Sequence, residues 1–267
     1  MREKTKMMTK VRGLILKVNK LSENDALFTV LCEDMKKITL ISKGIRSLKH
    51  KDFAAMQAFC YNEFELKGNG GFFSVSSASI INNFYNIRTS VDKVSFATYF
   101  AEVAKVASEF LEEDNEYFRF LLNCLYFIEN AEKKSDDVLT ELKRIKAIFE
   151  LKTVAKAGFE PYLDVCTKCQ STQNLEYFDV YNGGVICNKC SSEYCVPVYE
   201  KLIKFFDFIL HKDLKTVFNT SNITSELIDD ANTISEKYLS AKLEYYFKSL
   251  DTLKKISYGE NEIVNNT

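Results

Sequence analysis

Alternation of apolar and polar positions dominates the first eighty residues of the chain and then stops. Val11, Leu14, Leu16 and Val18 mark one strand, and Ala26, Phe28, Val30 and Cys32 alternate along a second. Ile38, Leu40 and Ser42 suit a third. Phe59, Tyr61, Phe64 and Leu66 suit a fourth, and residues 72–75 a fifth beyond a turn at Gly68-Asn69-Gly70-Gly71. Five short strands in about seventy residues fit a small closed barrel better than an open sheet, because closure removes exposed edges.

After Ile80 the period becomes helical. Val94, Ala97, Ala101, Ala104 and Ala107 recur over 91–111, with Asp92 near the start, and Phe118, Leu121, Leu122, Leu125 and Ile128 predict a second helix. A charged connector at 132–137 offers Ser135 or Asp136 as the cap of a third helix, carried by Leu142, Ile145, Ile148, Phe149 and Val154 and stopped at Gly158 and Pro161. Two more helices are expected at 198–211 and 224–253. Aromatic clusters such as Tyr99 with Phe100, or Tyr117 with Phe118 and Phe120, read as core. The expected fold is therefore multidomain α+β. A five-stranded oligonucleotide-binding (OB) type β-barrel occupies 1–80, with an SH3-like barrel as the alternative. An α-helical domain occupies 81–267, with a cysteine module at 162–195 inserted in it.

Composition adds a charge asymmetry. The 267 residues are 46% hydrophobic and 27% charged, which is globular, and the net charge is only −1. Residues 1–80 nevertheless hold 14 basic and 8 acidic side chains, a net of +6, and the remainder a net of −7. One end is suited to a polyanion. No secretory signal and no apolar run of membrane-spanning length is read, so a soluble, cytoplasmic protein with no membrane partner is expected.

The positive charge concentrates at 36–51, where Lys36, Lys37, Lys43, Arg46, Lys49 and Lys51 accompany His50 with no acidic residue among them. Lys10, Arg12 and Lys17 extend the patch if the first strand lies alongside. A charge run is commonly a solvated face. A cationic loop beside a barrel, with Phe28, Phe53, Phe59 and Tyr61 nearby, also has what a single-strand groove needs: phosphate neutralisation and surfaces for stacking.

Four of the eight cysteines form two Cys-x-x-Cys pairs, Cys166 with Cys169 and Cys187 with Cys190, 17 residues apart. That spacing suits a zinc ribbon in which four cysteines hold a tetrahedral ion, with strands at 175–178 and 184–187 around a turn at Asn182-Gly183-Gly184. One structural Zn²⁺ per chain is expected; redox-active or disulfide-paired cysteines are the competing readings. Cys32, Cys60 and Cys124 read as small buried hydrophobes, and Cys195 has no evident place. The two histidines, His50 and His211, belong to no nucleophilic or hydrolytic pattern. No phosphate-binding loop is present, and no catalytic residue is assigned.

The assembled pattern resembles the RecO family of DNA recombination and repair mediators. The resemblance is carried by Gly13-Leu14-Ile15-Leu16-Lys17, by Ser22-Glu23-Asn24-Asp25-Ala26-Leu27 and by Lys43-Gly44-Ile45-Arg46 with Lys49 beyond it. Downstream, Gly158-Phe159-Glu160-Pro161 and the two cysteine pairs continue it. It implies a bacterial, nucleoid-associated protein that is not an enzyme. Such a protein binds and anneals single-stranded DNA, with duplex DNA left open as a ligand, and acts with RecR. It helps to load the RecA recombinase onto strands covered by single-stranded-DNA-binding protein. An adaptor whose basic barrel binds an acidic protein surface is the alternative. The family's barrels carry more basic residues after the Lys-Gly motif than this chain does, which implies weaker DNA affinity without a partner.

Overall fold

The computed structural model describes residues 8–69, 72–111, 113–135, 137–220 and 223–259. The chain forms two compact units, Met1–Glu129 and Asn130–Thr267. The expected domain limit at residue 80 marks the change from strands to helices, and the first unit runs on through two helices.

In the first unit, β1 (Met8–Lys20), β2 (Ala26–Cys32), β3 (Lys37–Ser42), β4 (Tyr61–Asn69) and β5 (Phe72–Asn82) close into a barrel in the order β1-β2-β3-β5-β4. β1 pairs with both β2 and β4, and β3 runs parallel to β5. This Greek-key order with a parallel β3–β5 pair is the OB topology, and it removes the SH3-like alternative. β5 is eleven residues long and not the four expected. Ser76, Ser77 and Ser79 break the apolar alternation of its second half and hid that half in the sequence.

Ile15, Phe28, Val30, Leu40, Phe64 and Leu66 fill the barrel. Gly13 allows β1 to approach β2: a Cβ there would stand 2.6 Å from Val30 Cγ1 and 2.8 Å from the Leu31 carbonyl oxygen. Between β3 and β4, residues 43–60 form successive turns. The N–H groups of Ser47, His50 and Phe53 donate to the carbonyls of Gly44, Ser47 and His50. Ile45, Met56 and Cys60 from this segment join the barrel core. What the sequence presents as a loop is a plug. α1 (Val91–Ala107), capped by Ser90, and α2 (Asn115–Glu129) complete the unit. Tyr99, Phe100, Tyr117, Phe118 and Phe120 are buried there, as expected of core aromatics.

In the second unit, α3 (Val138–Lys156) is capped by Asp137, whose carboxylate accepts from the Thr140 N–H at 3.0 Å. This corrects the expected cap: Ser135 accepts from the Asp137 N–H instead, and Asp136 lies outside the described residues. β6 (Leu175–Asp179), β7 (Gly184–Cys187) and β8 (Val196–Pro197) make a small sheet in the order β7-β6-β8. α4 (Glu200–His211), α5 (Leu214–Asn219), α6 (Ser225–Lys242) and α7 (Lys248–Leu253) follow. The helix expected over 224–253 is therefore broken. Glu244 adopts a left-handed φ of 48°, and the chain turns so that Phe247, Leu250 and Leu253 are buried.

A buried ionic network fixes α6 on α3. Lys146 is fully buried, and its Nζ lies 2.9 Å from Glu150, 3.1 Å from Glu236 and 3.0 Å from Asn232 Oδ1. Burial alone would lower the Lys146 pKa, but the two carboxylates reverse this and hold the ammonium charged. Burial likewise opposes ionisation of Glu236, and Lys146 and Lys254 outweigh it, so its pKa falls. α6 in turn supports the small sheet. The Tyr238 ring meets Phe178 of β6 edge-on at 5.3 Å, and its hydroxyl donates to the Phe159 carbonyl at 2.9 Å. A Cβ at Gly183, whose φ is +77°, would stand 2.8 Å from that hydroxyl. Among the described residues, no helix is long and apolar enough to cross a membrane.

Lys146→Met leaves the buried Glu150 carboxylate without this cation, and leaves Glu236 with Lys254 alone; it is expected to cost ~3–5 kcal/mol, read as a lower urea midpoint of helical circular dichroism. Acid should weaken the same contact. With its folded pKa depressed, Glu236 contributes stability above the ordinary carboxylate range, lost as pH falls through the folded value.

Candidate nucleic-acid interface and metal centre

The nine expected cations fall into two groups. Across the β1–β4 ladder, Lys10 stands opposite Glu65 and Arg12 opposite Glu63, with ion pairs of 3.3 and 3.1 Å. Glu63 raises the Arg12 pKa, and the Ser77 hydroxyl with Lys10 lowers that of Glu65. Lys36 pairs with Asp34 at 2.9 Å and lies 3.8 Å from Glu113. Lys37 pairs with Glu109 at 2.7 Å and lowers its pKa. These four are held by the protein's own carboxylates.

Lys17, Lys43, Arg46, Lys49 and Lys51 are exposed and make no ion pair with a carboxylate among the described residues. Arg46 donates to the backbone carbonyls of Ser22 and Glu23 at 3.2 and 3.1 Å, which ties the 43–60 segment to the β1–β2 turn. The Gly44 N–H adds a bond to Asp25 Oδ1 at 2.9 Å, and Lys51 reaches the Ser76 carbonyl at 3.4 Å. Lys17 stands on β1 opposite Thr29 of β2, which stands opposite Thr39 of β3. OB barrels use this strand 2–3 face and the neighbouring β1–β2 loop for oligonucleotides.

The nearby aromatics separate as well. Phe28 and Phe59 are buried, and the Tyr61 hydroxyl donates to Glu33. Phe53, half-buried, lines a cavity of about 270 Å³ with Val18, Arg46 and Gln57.

In the second unit, the Sγ atoms of Cys166, Cys169, Cys187 and Cys190 all lie within 4.8 Å of one another, and those of Cys169 and Cys187 are 3.7 Å apart. A tetrahedral ion with bonds of ~2.3 Å to sulfur spaces its ligands ~3.8 Å apart, so the cage has the size of a tetrathiolate metal site. Tight turns build both knuckles: the Gln170 N–H donates to the Cys166 carbonyl, and the Cys190 and Ser191 N–H groups donate to that of Cys187. All eight cysteines are free thiols.

Burial opposes ionisation of Cys166, but the N–H groups of Cys187, Cys169 and Lys168 outweigh it and bring the pKa to about 6. Cys190 goes the other way, to about 12, chiefly through its hydrogen bond with the Cys169 sulfur. Cys166 and Cys190 are thus pushed in opposite directions. A divalent cation held by Cys166, Cys169, Cys187 and Cys190 would favour their thiolate forms, and four thiolate ligands would leave no open position for catalysis. Cys195 packs beside the cluster with its sulfur 3.5 Å from Ser192 Oγ, outside the four-sulfur set.

Two family models cover most of the sequence. Recombination protein O N terminal matches residues 7–84, and Recombination protein O C terminal matches residues 88–251. The chain belongs to the recombination protein O family. Its relatives include the DNA repair protein RecO of Alkaliphilus metalliredigens, 28% identical over 254 residues, covering 94% of this chain and 100% of that one. The RecO of Acetivibrio thermocellus is 24% identical over 248 residues, 92% and 96% of the two chains. The RecO of Caldicellulosiruptor saccharolyticus is 29% identical over 247 residues, 92% and 97% of the two. RecO membership and the barrel-plus-helices fold agree with the sequence reading. The family is one of DNA-repair proteins.

The RecO-like Lys43-Gly44-Ile45-Arg46 motif has a structural basis here. Gly44 takes a φ of +68°, Ile45 enters the barrel core, and Arg46 is exposed and pinned to the β1–β2 turn. The carboxylates that hold Lys10, Arg12, Lys36 and Lys37 escaped the sequence reading. Glu63 and Glu65 were visible in principle, because they alternate along β4 as Lys10 and Arg12 alternate along β1. Glu109 and Glu113 sit far along the chain and gave no local signal.

Elemental analysis of the purified chain should find about one metal ion bound, and Cys166→Ser should remove it. Cys195→Ser, outside the cage, should leave the metal content unchanged.

Proposed function

We propose that this chain is a recombination mediator that binds single-stranded DNA on its barrel and promotes annealing of complementary strands. The observation that carries this reading is the set of five exposed cations, Lys17, Lys43, Arg46, Lys49 and Lys51, that make no ion pair with a carboxylate among the described residues. A phosphate backbone crossing the β1–β3 surface and the adjoining 43–60 turns would replace its condensed counterions with these side chains. Annealing then needs no bond chemistry. Lowering the repulsion between two phosphate chains and holding them close raises their rate of pairing. Lys10, Arg12, Lys36 and Lys37 join the contact only by exchanging a carboxylate for a phosphate, so they contribute less.

The metal of the second unit is zinc in this reading, one ion per chain, with Cys166, Cys169, Cys187 and Cys190 as its ligands and a structural role. By family kinship the chain acts with RecR on strands covered by single-stranded-DNA-binding protein and helps RecA to load there, on chromosomal DNA in the bacterial cytoplasm. Five cations are a modest electrostatic footprint, which fits a mediator whose grip on DNA is reinforced by a partner.

Annealing of complementary oligonucleotides, measured with and without those partners, tests the activity. Binding should fall steeply with salt, and Lys43→Gln combined with Arg46→Gln should weaken all sequences alike. The log–log salt slope should become shallower by ~1.4, at ~0.7 per lost single-strand contact. An unchanged slope in the double variant would remove these residues from the interface. Binding to an acidic peptide but to no oligonucleotide would favour the adaptor reading instead.

A further inference from the structure

We propose that the mouth of the barrel is a pocket for one unstacked nucleobase, an inference that rests on the single-strand reading above. Val18 and Phe28 stand opposite each other on β1 and β2, and together with Ala26 they line the cavity at the strand ends. Phe28 and Ala26 are buried, whereas Val18 remains 40% exposed, so the interior of the barrel opens to solvent here. Ile45 and Met56 of the plug close the cavity, and Phe53, Arg46 and Gln57 complete its wall. Its volume of about 270 Å³ falls just under the ~300 Å³ at which pockets for drug-sized ligands begin. That suits one ring system and not a length of chain.

The wall chemistry matches a base. Phe53 supplies an aromatic surface, and the buried aliphatic residues supply an apolar floor. Arg46 is already held by two backbone carbonyls, so little freedom is lost when its remaining N–H groups donate to a ligand. The Gln57 side-chain amide donates to the Phe53 carbonyl at 2.7 Å, which leaves its own oxygen as an acceptor. One aromatic surface, one donor and one acceptor accept any base, because each base has a stacking face and polar edges.

The location matches as well. Lys43 and Lys49 belong to the same turns as Arg46, and Lys17 adjoins Val18, so phosphates drawn to these cations arrive at the rim. A base within a duplex must first unpair and unstack to enter, whereas a single strand pays little of that cost. The pocket therefore gives the barrel a preference for single strands that phosphate contacts alone do not supply.

Anisotropy titrations of the full chain against a labelled oligothymidine and an abasic oligomer of equal length and charge test the pocket. The unaltered chain should bind the base-bearing strand at least about fivefold more tightly, the equivalent of ~1 kcal/mol for one stacked base. Phe53→Ala should erase that preference while leaving the abasic affinity and the salt slope in place. Val18→Trp, which fills the mouth from an exposed position and spares the core, should do the same. Equal affinity of the unaltered chain for the two strands overturns the pocket, as does a preference that survives both substitutions. Failure of both strands to bind would overturn the single-strand reading itself, and the pocket with it.

Discussion

Closure of the first unit through a parallel β3–β5 pair is the constraint from which its surface follows. Parallel neighbours cannot be joined by a hairpin, so the chain leaving Ser42 must cross the end of the barrel and enter β4 before β5 can return beside β3. The crossing is residues 43–60. It has to bury something to be stable, and Ile45, Met56 and Cys60 enter the core. Its turn bonds recur every third residue, from Gly44 to Ser47 to His50 to Phe53. Lys43, Arg46 and Lys49 recur at the same interval, and all three are exposed. The segment that plugs the barrel is therefore also the one that displays its cations. The turn bonds and the charge display share one repeat.

The net +6 of residues 1–80 overstates the charge available to a ligand. Lys10 and Arg12 are cross-strand partners of Glu65 and Glu63, and Lys36 and Lys37 are held by Asp34 and Glu109. Exposed pairs of this kind add little stability, but each must be broken, or share its cation, before a phosphate gains from it. What remains of the nine expected cations are five side chains, four of them on the 43–60 crossing and one, Lys17, on the adjoining strand; Lys20 and Lys67 are likewise exposed and make no ion pair among the described residues. Contacts from those five alone give, by counterion release, a log–log salt slope of ~3.5 for single strands. A site of this size depends on stacking or on a partner for further affinity, and the open mouth of the barrel is where stacking can occur.

What was legible in the sequence was local. The metal cage was readable because its ligands lie two residues apart within each knuckle and a hairpin brings the knuckles together. The first four strands were readable because one of their faces is buried and the other solvated. The second half of β5 was not, since Ser76, Ser77 and Ser79 carry no apolar period. The break between α6 and α7 was hidden for the opposite reason: the apolar period continues through it, and a left-handed Glu244 redirects the chain without a glycine or proline to announce it. The SH3-like alternative fell only when strand pairing was known. Strand count carries no information on whether β3 meets β5.

The small sheet of the second unit has the make-up of a module that a metal could stabilise. Its strands are five, four and two residues long, too short to enclose a core of their own. The buried cluster at its centre is Cys166, Ile186 and Cys187, with Leu175, Tyr177, Cys190 and Cys195 packed against it. Three of those residues belong to the sulfur cage, so the ligands are the core. Small modules with too little apolar surface are stabilised by disulfides or by metal. With all cysteines free and four sulfurs within 4.8 Å of one another, a metal ion is the cross-link this module could hold. On its other side, Phe178 rests on Tyr238 of α6, and α6 is fixed to α3 by Lys146 and its carboxylates. The module thus has two independent anchors, one through sulfur and one through the helices. The Lys146 network shares no residue with the sulfur cage, so the α3–α6 packing does not depend on the knuckles.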